Sequence, residues 1–562
     1  MDRRTTFKKF LGVEAAATVG NHRQEDALPL GGGLTPYSGT WNYAIAAHLL
    51  RRAMFGPTHQ QILDAVRDGM DKTLDKLFTP VQLPMDPVIY SDNPIDPNVI
   101  KGQPWVKTPL NPSVQGNVAF KENSLFAWMM EQIYKEGVSI TEKMTLFWHN
   151  HFVVSEIFDP RMSFDYIQLL RSNCLKNFKE LTKQITVDKA MLYYLNGNQN
   201  TNLAPNENYA RELMELFTLG KGDLAGPGDY TTFTEQDVME VAKALTGWYV
   251  PVDRRNTTYQ PLAVFDSNLH DKSTKTLSHR FNNTKIVNAG ANEYKQVIDV
   301  IFQKREAATF ISRKLYRYFI YYKVSSAIES DIVDGLADTL VANNFDIAPV
   351  VRELLSSSHF YTDESLGALI RPPYEFVFNT LKAMKFNSSQ VSSIEDTYNL
   401  YLHLYRSTNG LQQVYFDVPS VAGWTPYYQE PSFHEIWVNS VTLPLRTALT
   451  TGLATKTIKV RNIAQKLFGL ELTNYVSDFS APGDATRLIN DIVAHLLPKP
   501  IYQNQLDYLK SKLLGNMTEA QWKTNWDAFI ASPNDAQKKA AVENRLKLLI
   551  SNLLTMPEYY LS

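Results

Sequence analysis

The stretch that most constrains the fold is residues 206–220, NENYARELMELFTLG, which has the pattern of one amphipathic helix. At 100° per residue, four large apolar side chains fall on one side: Tyr209, Leu213, Leu216 and Phe217. This spacing is typical of a helix face that packs against a core. Asn206 can accept a hydrogen bond from a free first-turn N–H, and Gly220 is a typical helix stop.

The polar side of this helix allows two interpretations. Glu207, Arg211 and Glu215 lie opposite the apolar side, each four residues from the next. This spacing predicts a solvated ladder of ion pairs, each worth about 0.3–0.5 kcal/mol. Glu212 lies between the two sides, next to Asn208. In the alternative interpretation Glu212 faces a cleft as a ligand or an acid/base, held by Arg211 and Asn208.

Composition limits the class of protein. The chain has 562 residues, of which 44% are hydrophobic and 20% charged, as in a soluble globular protein with a sizeable core. The length alone suggests several domains, but a large helical protein can form one unit. The net charge is −2 and no basic stripe is present, which argues against nucleic-acid binding. A lone cysteine, Cys174, excludes an intrachain disulfide.

The amino terminus, MDRRTTFKKFLGVEAAATVG, has the pattern of a degenerate twin-arginine export signal. Paired arginines precede a short apolar run that Glu14 interrupts. We expect residues 1–35 to be a basic, export-signal tail and flexible lead, which predicts a periplasmic or extracellular protein. A simple basic tail on a cytoplasmic protein is the alternative. The absence of any long apolar run predicts no transmembrane span.

Helical patterns dominate the remainder, so we predict a mainly α fold with little β structure. Residues 36–562 are expected to form a single multi-helical module with two long irregular surface segments, 79–117 and 406–440. Long irregular segments in compact domains are uncommon and are often functional. The second segment is rich in aromatic residues, including Trp424. It would either pack over the helical core or line a pocket.

Two histidine motifs are candidate sites. In the triplet HNH, His149 and His151 lie about 160° apart on a regular helix, so they cannot both bind one metal from that helix. His151 falls on the buried side, where a core histidine bonded to a neighbour is the simpler interpretation, and His149 is expected to be partly exposed. The pair His270-Asp271 follows a polar stretch and is predicted to lie on a loop, where catalytic residues often occur. A solvated loop is the alternative.

These motifs belong to a set that covers nearly the whole chain in order. The matching segments are AAHLLRRAMFGPT (46–58), LFWHNHFVVS (146–155), DKAMLYYLNGNQN (188–200), PNENYARELMELFTLG (205–220), YTTFTEQDVMEVAKALTGW (230–248), HDKSTKT (270–276), FISRKLYRYF (310–319), LIRPPYEFV (369–377) and VPSVAGW (418–424). With these segments the chain resembles the bacterial domain of unknown function 1800 family. The resemblance implies a mostly helical module, often exported, and a sulfatase-like partner of the domain of unknown function 1501 family. The resemblance implies no particular activity for this chain.

The resemblance has one clear departure. Members of the family usually carry a glycine soon after the His-Asp pair and another after the Lys-Thr pair. This chain has Ser273 and Ser278 in those places.

Two functions remain open from the sequence. The first is a metal-dependent hydrolase acting on an envelope or extracellular polymer, with one divalent metal ion. Its catalytic candidates are Glu212, His151, Arg211, His270 and Asp271. Its substrate-binding candidates are Asn206, Asn208 and Trp424. Its candidate metal ligands are His149, His151, Glu212, His270 and Asp271.

The second function is a non-catalytic envelope protein that binds or assembles with the sulfatase-like partner. In that case the ordered polar motifs are buried networks that fix helix packing. No HExxH motif, nucleophile elbow or dinucleotide fingerprint favours a particular enzyme class. The two functions are distinguished by whether His151, Glu212 and His270 converge.

Overall fold

The computed structural model describes residues 28–110, 114–251 and 259–562. About 56% of the chain is helical and 5% lies in strands, which confirms the predicted mainly α fold. The predicted export signal at residues 1–20 lies outside the described residues. Within the described part of the chain, no helix is long and apolar enough to cross a bilayer.

The helices, in chain order, are α1 Tyr43–Ala53, α2 His59–Phe78, α3 Asn117–Lys135, α4 Thr141–His151, α5 Pro160–Asn173, α6 Phe178–Thr186, α7 Lys189–Tyr194, α8 Glu207–Glu212, α9 Glu235–Ala244, α10 Glu293–Ile301, α11 Arg305–Phe319, α12 Ser326–Ile328, α13 Asp334–Ala342, α14 Ile347–Ser356, α15 Pro373–Ala383, α16 Ile394–Gly410, α17 Thr442–Thr455, α18 Leu472–Val476, α19 Ala485–Leu496, α20 Gln503–Leu514, α21 Glu519–Ala531 and α22 Ala536–Leu554. Two π-helical turns extend this set: Leu213–Thr218 continues α8, and Glu329–Val333 joins α12 to α13. Short 3-10 turns occur in the loops, including Thr425–Tyr427 and Phe433–Trp437.

The strands are short and pair only with a neighbour in the chain. They are β1 Leu224–Gly226, β2 Asp229–Tyr230, β3 Trp248–Tyr249, β4 Val264–Phe265, β5 Lys275–Thr276, β6 Lys285–Ile286, β7 Ile458–Lys459 and β8 Leu467–Phe468. Each pair, β1–β2, β3–β4, β5–β6 and β7–β8, is antiparallel. Such two-stranded ribbons cannot form a core of their own, so the helices supply it.

One continuous apolar core runs through the helices. Helix α3 packs along α16, α11 along α13, and α20 along α22. Four tryptophans are almost completely buried within the core: Trp105, Trp148, Trp424 and Trp522. Their size explains how a chain with long loops still excludes water from its interior.

The long segment between α2 and α3 forms no named helix or strand over its described residues, 79–110 and 114–116. Side chains of the neighbouring α3 and of the segment itself hold it in place. The Trp105 indole N–H donates to the Ser124 hydroxyl at 2.9 Å, and the Trp128 indole N–H donates to the Met85 carbonyl at 2.6 Å. The segment therefore wraps the surface of α3 as an ordered strap.

Side-chain caps begin α8 and α9, and the cap at Asn206 is the one that the sequence analysis expects. Thr234 and Asp237 form a reciprocal capping box at the start of α9. Asn206 caps α8 by accepting a hydrogen bond from the Asn208 backbone N–H at 2.9 Å. These bonds satisfy first-turn N–H groups that have no partner within the helix.

The predicted ion-pair ladder of Glu207, Arg211 and Glu215 is wrong in its second half. Arg211 pairs with Glu207 at 3.3 Å and, through two bonds of 2.7 and 2.8 Å, with Glu235 of α9. Glu215 lies in the π-helical turn and pairs with Lys221 at 3.5 Å. The wider turn changes the angle between side chains four residues apart, so the helical wheel places Glu215 incorrectly.

Candidate functional site

The HNH triplet ends α4, and its three side chains contact three different backbone segments. His149 Nε2 accepts a hydrogen bond from the Phe416 N–H at 3.3 Å. Asn150 Oδ1 accepts one from the Trp424 N–H at 2.9 Å. His151 Nε2 donates to the Phe217 carbonyl at 3.0 Å. The motif therefore joins α4 to the aromatic-rich segment 406–440, here named the aromatic loop, on one side and to the π-helical turn on the other.

His151 uses both of its ring nitrogens within the protein. Because Nε2 carries the proton donated to Phe217, Nδ1 is the acceptor, and Lys314 Nζ lies 3.1 Å from it. Burial, together with the charge of Lys314, holds the pKa of His151 well below its usual value. This arrangement corresponds to the bonded core histidine expected for His151, and it leaves no free lone pair for a metal.

Lys314 links His151 to the π-helical turn. Its Nζ also donates to the Leu216 carbonyl at 3.2 Å, next to the Phe217 carbonyl that His151 contacts. Carbonyls at the end of a helix lack intrahelical partners, and these two receive side-chain donors instead. Burial, and after it the charge of Arg317, lowers the pKa of Lys314 to about 7.

The expectation that His149 is partly exposed is wrong, since its exposed fraction is 0%. Every residue of α4 except Asn150 is buried, so the helix has no solvent face on which a histidine could lie. The His149 ring is surrounded by Tyr415, Phe416 and Trp424, with ring centres 4.8–5.7 Å away. Burial lowers its pKa to about 3, so the ring is neutral at pH 7.

His270 belongs to a closed network rather than to a solvated loop. Its Nδ1–H donates to the Thr246 carbonyl at 2.9 Å, and its Nε2 lies 3.1 Å from Glu293 Oε2. The second oxygen of Glu293 pairs with Lys275 at 2.5 Å. Lys275 also lies 3.5 Å from the carboxylate of Asp271. His270, Lys275 and Glu293 are all buried, so this network fastens the loop to the start of α10.

Ser273 and Ser278, which depart from the family pattern, both bond to aspartates. The Ser273 hydroxyl donates to Asp271 Oδ1 at 2.5 Å, and the Ser278 hydroxyl donates to Asp237 Oδ2 at 2.7 Å. Asp237 is the residue that closes the capping box of α9. The two serines thus supply side-chain hydrogen bonds that a glycine could not make.

Three of the candidate residues from the stretch 206–220, Asn208, Arg211 and Glu212, lie on α8. Asn208 reaches the Leu195 carbonyl at 3.4 Å, and Arg211 is held by Glu235. Glu212 is half-buried, and no hydrogen bond or ion pair joins it to another described residue. Burial, followed by the nearby charge of Glu215, raises the pKa of Glu212. Its charge adds to the effect of burial in raising the pKa of Tyr194.

The structure does not bring the candidate metal ligands together. In the described part of the chain, no three His, Cys, Asp or Glu side chains are grouped so that they could hold a metal ion. His151 bonds the π-helical turn, His149 the aromatic loop, and His270 the Glu293 network. The three histidines therefore serve three different packing contacts.

A separate cavity of about 280 Å³ lies between α3, α5, the segment after α4 and the aromatic loop. We name it the acidic cavity. It is lined by Glu122, Leu125, Phe126, Glu156, Ile157, Phe158, Ser163 and Phe416. Its volume is just below the usual range for small-molecule sites, about 300–1,000 Å³, and its walls combine apolar side chains with a few polar groups, as such sites do.

The polar groups that line the acidic cavity have no partners among the described residues. Neither the carboxylates of Glu122 and Glu156 nor the hydroxyl of Ser163 forms a hydrogen bond or an ion pair there. Ser163 is only 5% exposed. Burial raises the pKa of the half-buried Glu122. Buried polar groups in native proteins normally have partners, so the Ser163 hydroxyl and the half-buried carboxylate of Glu122 are available to a ligand. The carboxylate of Glu156 is exposed and is available as well.

Two residues of the cavity wall hold a left-handed backbone. Glu156 has φ 54° and Phe416 has φ 61°, a conformation that residues other than glycine seldom adopt. The Glu156 N–H and the Ser155 hydroxyl both donate to the Phe416 carbonyl at 3.1 Å, while His149 accepts from the Phe416 N–H. Such strain costs about 1–3 kcal/mol per residue and concentrates at functional sites.

The aromatic loop contributes Phe416 to the cavity, whereas Trp424, the predicted substrate contact, lies behind it. Trp424 is 1% exposed and stacks against the His149 ring. Sequence reasoning missed Glu122, Glu156 and Ser163, since isolated polar residues on or beside helices look like ordinary surface positions. The one available signal was Glu156, which directly follows the LFWHNHFVVS segment.

Comparison with known proteins gives one family. The model of a family described as "Protein of unknown function (DUF1800)" matches residues 48–561. No curated protein and no solved structure matches the chain. The match covers nearly the whole chain, including every element that lines the acidic cavity. The chain therefore belongs to the DUF1800 family.

Proposed function

We propose that the protein is a non-catalytic binding protein whose ligand site is the acidic cavity. The observation that carries this proposal is the set of polar groups without partners among the described residues, Glu122, Glu156 and Ser163, around one cavity. Leaving the half-buried carboxylate of Glu122 without a partner costs free energy. A ligand that supplies a hydrogen-bond donor or a positive charge removes this cost.

The strained wall of the cavity supports the same function. Glu156 and Phe416 keep their left-handed backbones because three hydrogen bonds, including the one to His149, hold them. A wall held in this way is preorganised, which reduces the free energy that binding would otherwise spend on ordering the site.

The positions of the predicted catalytic residues favour binding over the metal-dependent hydrolase. Both nitrogens of His151 and both of His270 face partners within the protein. Glu212 lies at the end of α8 and forms no hydrogen bond or ion pair with either histidine. We infer that the HNH and His-Asp motifs maintain the fold around the cavity, as the second function from the sequence requires.

A location in the cell envelope and a sulfatase-like partner of the domain of unknown function 1501 family form part of this proposal. The arginine-containing amino terminus and the family resemblance support them. Fractionation of cells that express the full chain tests the location, with recovery in the periplasm expected. Recovery only in the cytoplasm would contradict it. Co-purification of a tagged full chain with the partner tests the assembly.

Saturation-transfer NMR with 2-phenylethanol tests the site. This neutral probe fits the cavity volume and can bond Ser163 while its ring contacts the phenylalanines. We expect saturation transfer to the phenyl protons with the native protein and none with Ser163→Phe, which fills the cavity. Ser172→Phe, on the same helix α5 but away from the cavity, is the matched control and should bind as the native protein does. Equal transfer to all three proteins, or to none, would refute the proposal.

A further inference from the structure

The charged side chains that line the acidic cavity are both carboxylates. Its polar side chains are two carboxylates and one hydroxyl, and no Lys, Arg or His among the described residues lines it. Burial raises the pKa of Tyr405 and of Tyr194. The charges of Asp417 and Glu122 add to the shift of Tyr405, and those of Glu212 and Glu156 add to the shift of Tyr194. The ionisable side chains that line the cavity are therefore acidic among the described residues.

The apolar part of the wall suits a particular kind of cation. Three phenylalanines, Phe126, Phe158 and Phe416, line the cavity together with Leu125 and Ile157. Aromatic faces attract organic ammonium groups, and the attraction grows when the group is shielded from water. A bare metal ion would require several oxygen ligands at short distance, whereas an ammonium on an apolar stem uses both the carboxylates and the rings.

From this arrangement, and resting on the proposed binding function, we infer that the ligand class is a small organic ammonium ion with an apolar stem. The ammonium group pairs with Glu122 and Glu156, and the stem lies against the phenylalanines. The Ser163 hydroxyl, which has no partner among the described residues, accepts one of the ammonium hydrogens. An anionic ligand of the same shape is repelled by the two carboxylates.

Binding of such a ligand changes the ionisation of Glu122. Burial raises the pKa of this carboxyl in the free protein, and an ammonium group beside it favours the charged form. The complex therefore releases protons wherever Glu122 is partly protonated before binding. This release is measurable as a dependence of the binding enthalpy on the ionisation enthalpy of the buffer.

Isothermal titration calorimetry of the full chain with three phenyl probes tests the inference. The probes are phenethylammonium, 2-phenylethanol and 3-phenylpropanoate, which share a stem and differ in charge. We expect phenethylammonium to bind about tenfold more tightly than the alcohol, and the propanoate to bind more weakly than either. Glu122→Gln should bring the affinities of the ammonium and the alcohol close together.

Glu131→Gln is the matched control, since Glu131 lies on the same helix α3 but pairs with Lys135 at 2.6 Å. It should preserve the preference for the ammonium probe. Glu156→Gln provides a second variant with the same expected result as Glu122→Gln. If alcohol and ammonium bind equally to the native protein, the ligand class is wrong while the binding site stands. If no probe binds, the proposed function itself fails.

Discussion

His149 accepts a hydrogen bond from the backbone N–H of Phe416 at 3.3 Å, and this bond joins α4 to the wall of the acidic cavity. Replacing His149 with Ala leaves the Phe416 N–H without this partner. We expect a loss of about 1–3 kcal/mol in the free energy of unfolding, together with loss of 2-phenylethanol binding. Urea unfolding and saturation-transfer NMR measure the two effects.

The matched control for this change is His279→Ala. The His279 side chain is 61% exposed, and its change should stay within about 0.5 kcal/mol of the native protein and keep probe binding. A stable His149→Ala protein with native affinity for the probe would show that the bond to Phe416 does not support the cavity.

Several buried histidines make stability sensitive to acid. Burial lowers the pKa of His48, His149 and His495 to about 3 and that of His151 well below its usual value. Below about pH 6.5 the unfolded chain binds protons that the folded chain does not, so the free energy of unfolding falls as the pH falls towards 3. Each such histidine contributes a slope of up to about 1.4 kcal/mol per pH unit.

Urea unfolding at a series of pH values from 7 to 4 measures this slope. Asp188 acts in the opposite direction, because burial raises its folded pKa to about 6, so a single-residue comparison is the sharper test. His48→Gln should reduce the slope by about one proton, or about 1.4 kcal/mol per pH unit. An identical slope in the variant and the native protein would show that His48 is not neutral when folded.

Lys314 gives a pH dependence in the alkaline range. Its folded pKa of about 7 lies below the unfolded value, so the unfolded state binds more protons between these values and native stability rises with pH there. Lys314→Met removes this contribution. Relative to the native protein, the variant should therefore lose stability steadily as the pH increases from 7 to 9, measured by urea unfolding. A constant difference would contradict the lowered pKa.

Glu293 contacts both Lys275 and His270 through its two carboxylate oxygens. Glu293→Gln removes the counter-charge of the buried Lys275 and a hydrogen-bond partner of His270, so we expect a loss of about 3–5 kcal/mol in the free energy of unfolding. Glu306→Gln is the control, because its pair with Lys304 at 3.7 Å is partly exposed and is worth less than about 1 kcal/mol. Similar small losses in both variants would show that the His270 network does not stabilise the fold.

These contacts also show which features the sequence could predict. The caps at Asn206 and Thr234 depend on residues within one helical turn, so local pattern suffices for them. The π-helical turn does not follow from local pattern, since its carbonyls at Leu216 and Phe217 receive bonds from Lys314 and His151. The i→i+5 geometry is favoured by distant partners that a helical wheel cannot include.

The site was harder to predict than the fold for the same reason. The acidic cavity takes Glu122 from α3, Glu156 from the segment after α4, Ser163 from α5 and Phe416 from the aromatic loop. None of these residues stands out by spacing. Of the motifs that do stand out, HNH contacts the cavity wall at Phe416, and His-Asp belongs to the Glu293 network. Both motifs make packing contacts, so the strong sequence signals identify structural residues and not the lining of the cavity.

Glu122 should limit the stability of the free protein. Its carboxyl is half-buried without a partner among the described residues, and its folded pKa is raised by burial. A raised carboxyl pKa favours the folded state at low pH, and this contribution is lost as the pH rises through the folded pKa. Glu122→Gln should therefore raise the melting temperature at pH 7 and have no such effect near pH 4.

Adding phenethylammonium to the native protein should recover part of the difference, because the ligand supplies the missing counter-charge. A variant that melts at or below the native temperature at pH 7, with or without the ligand, would show that the unpaired carboxylate carries no cost.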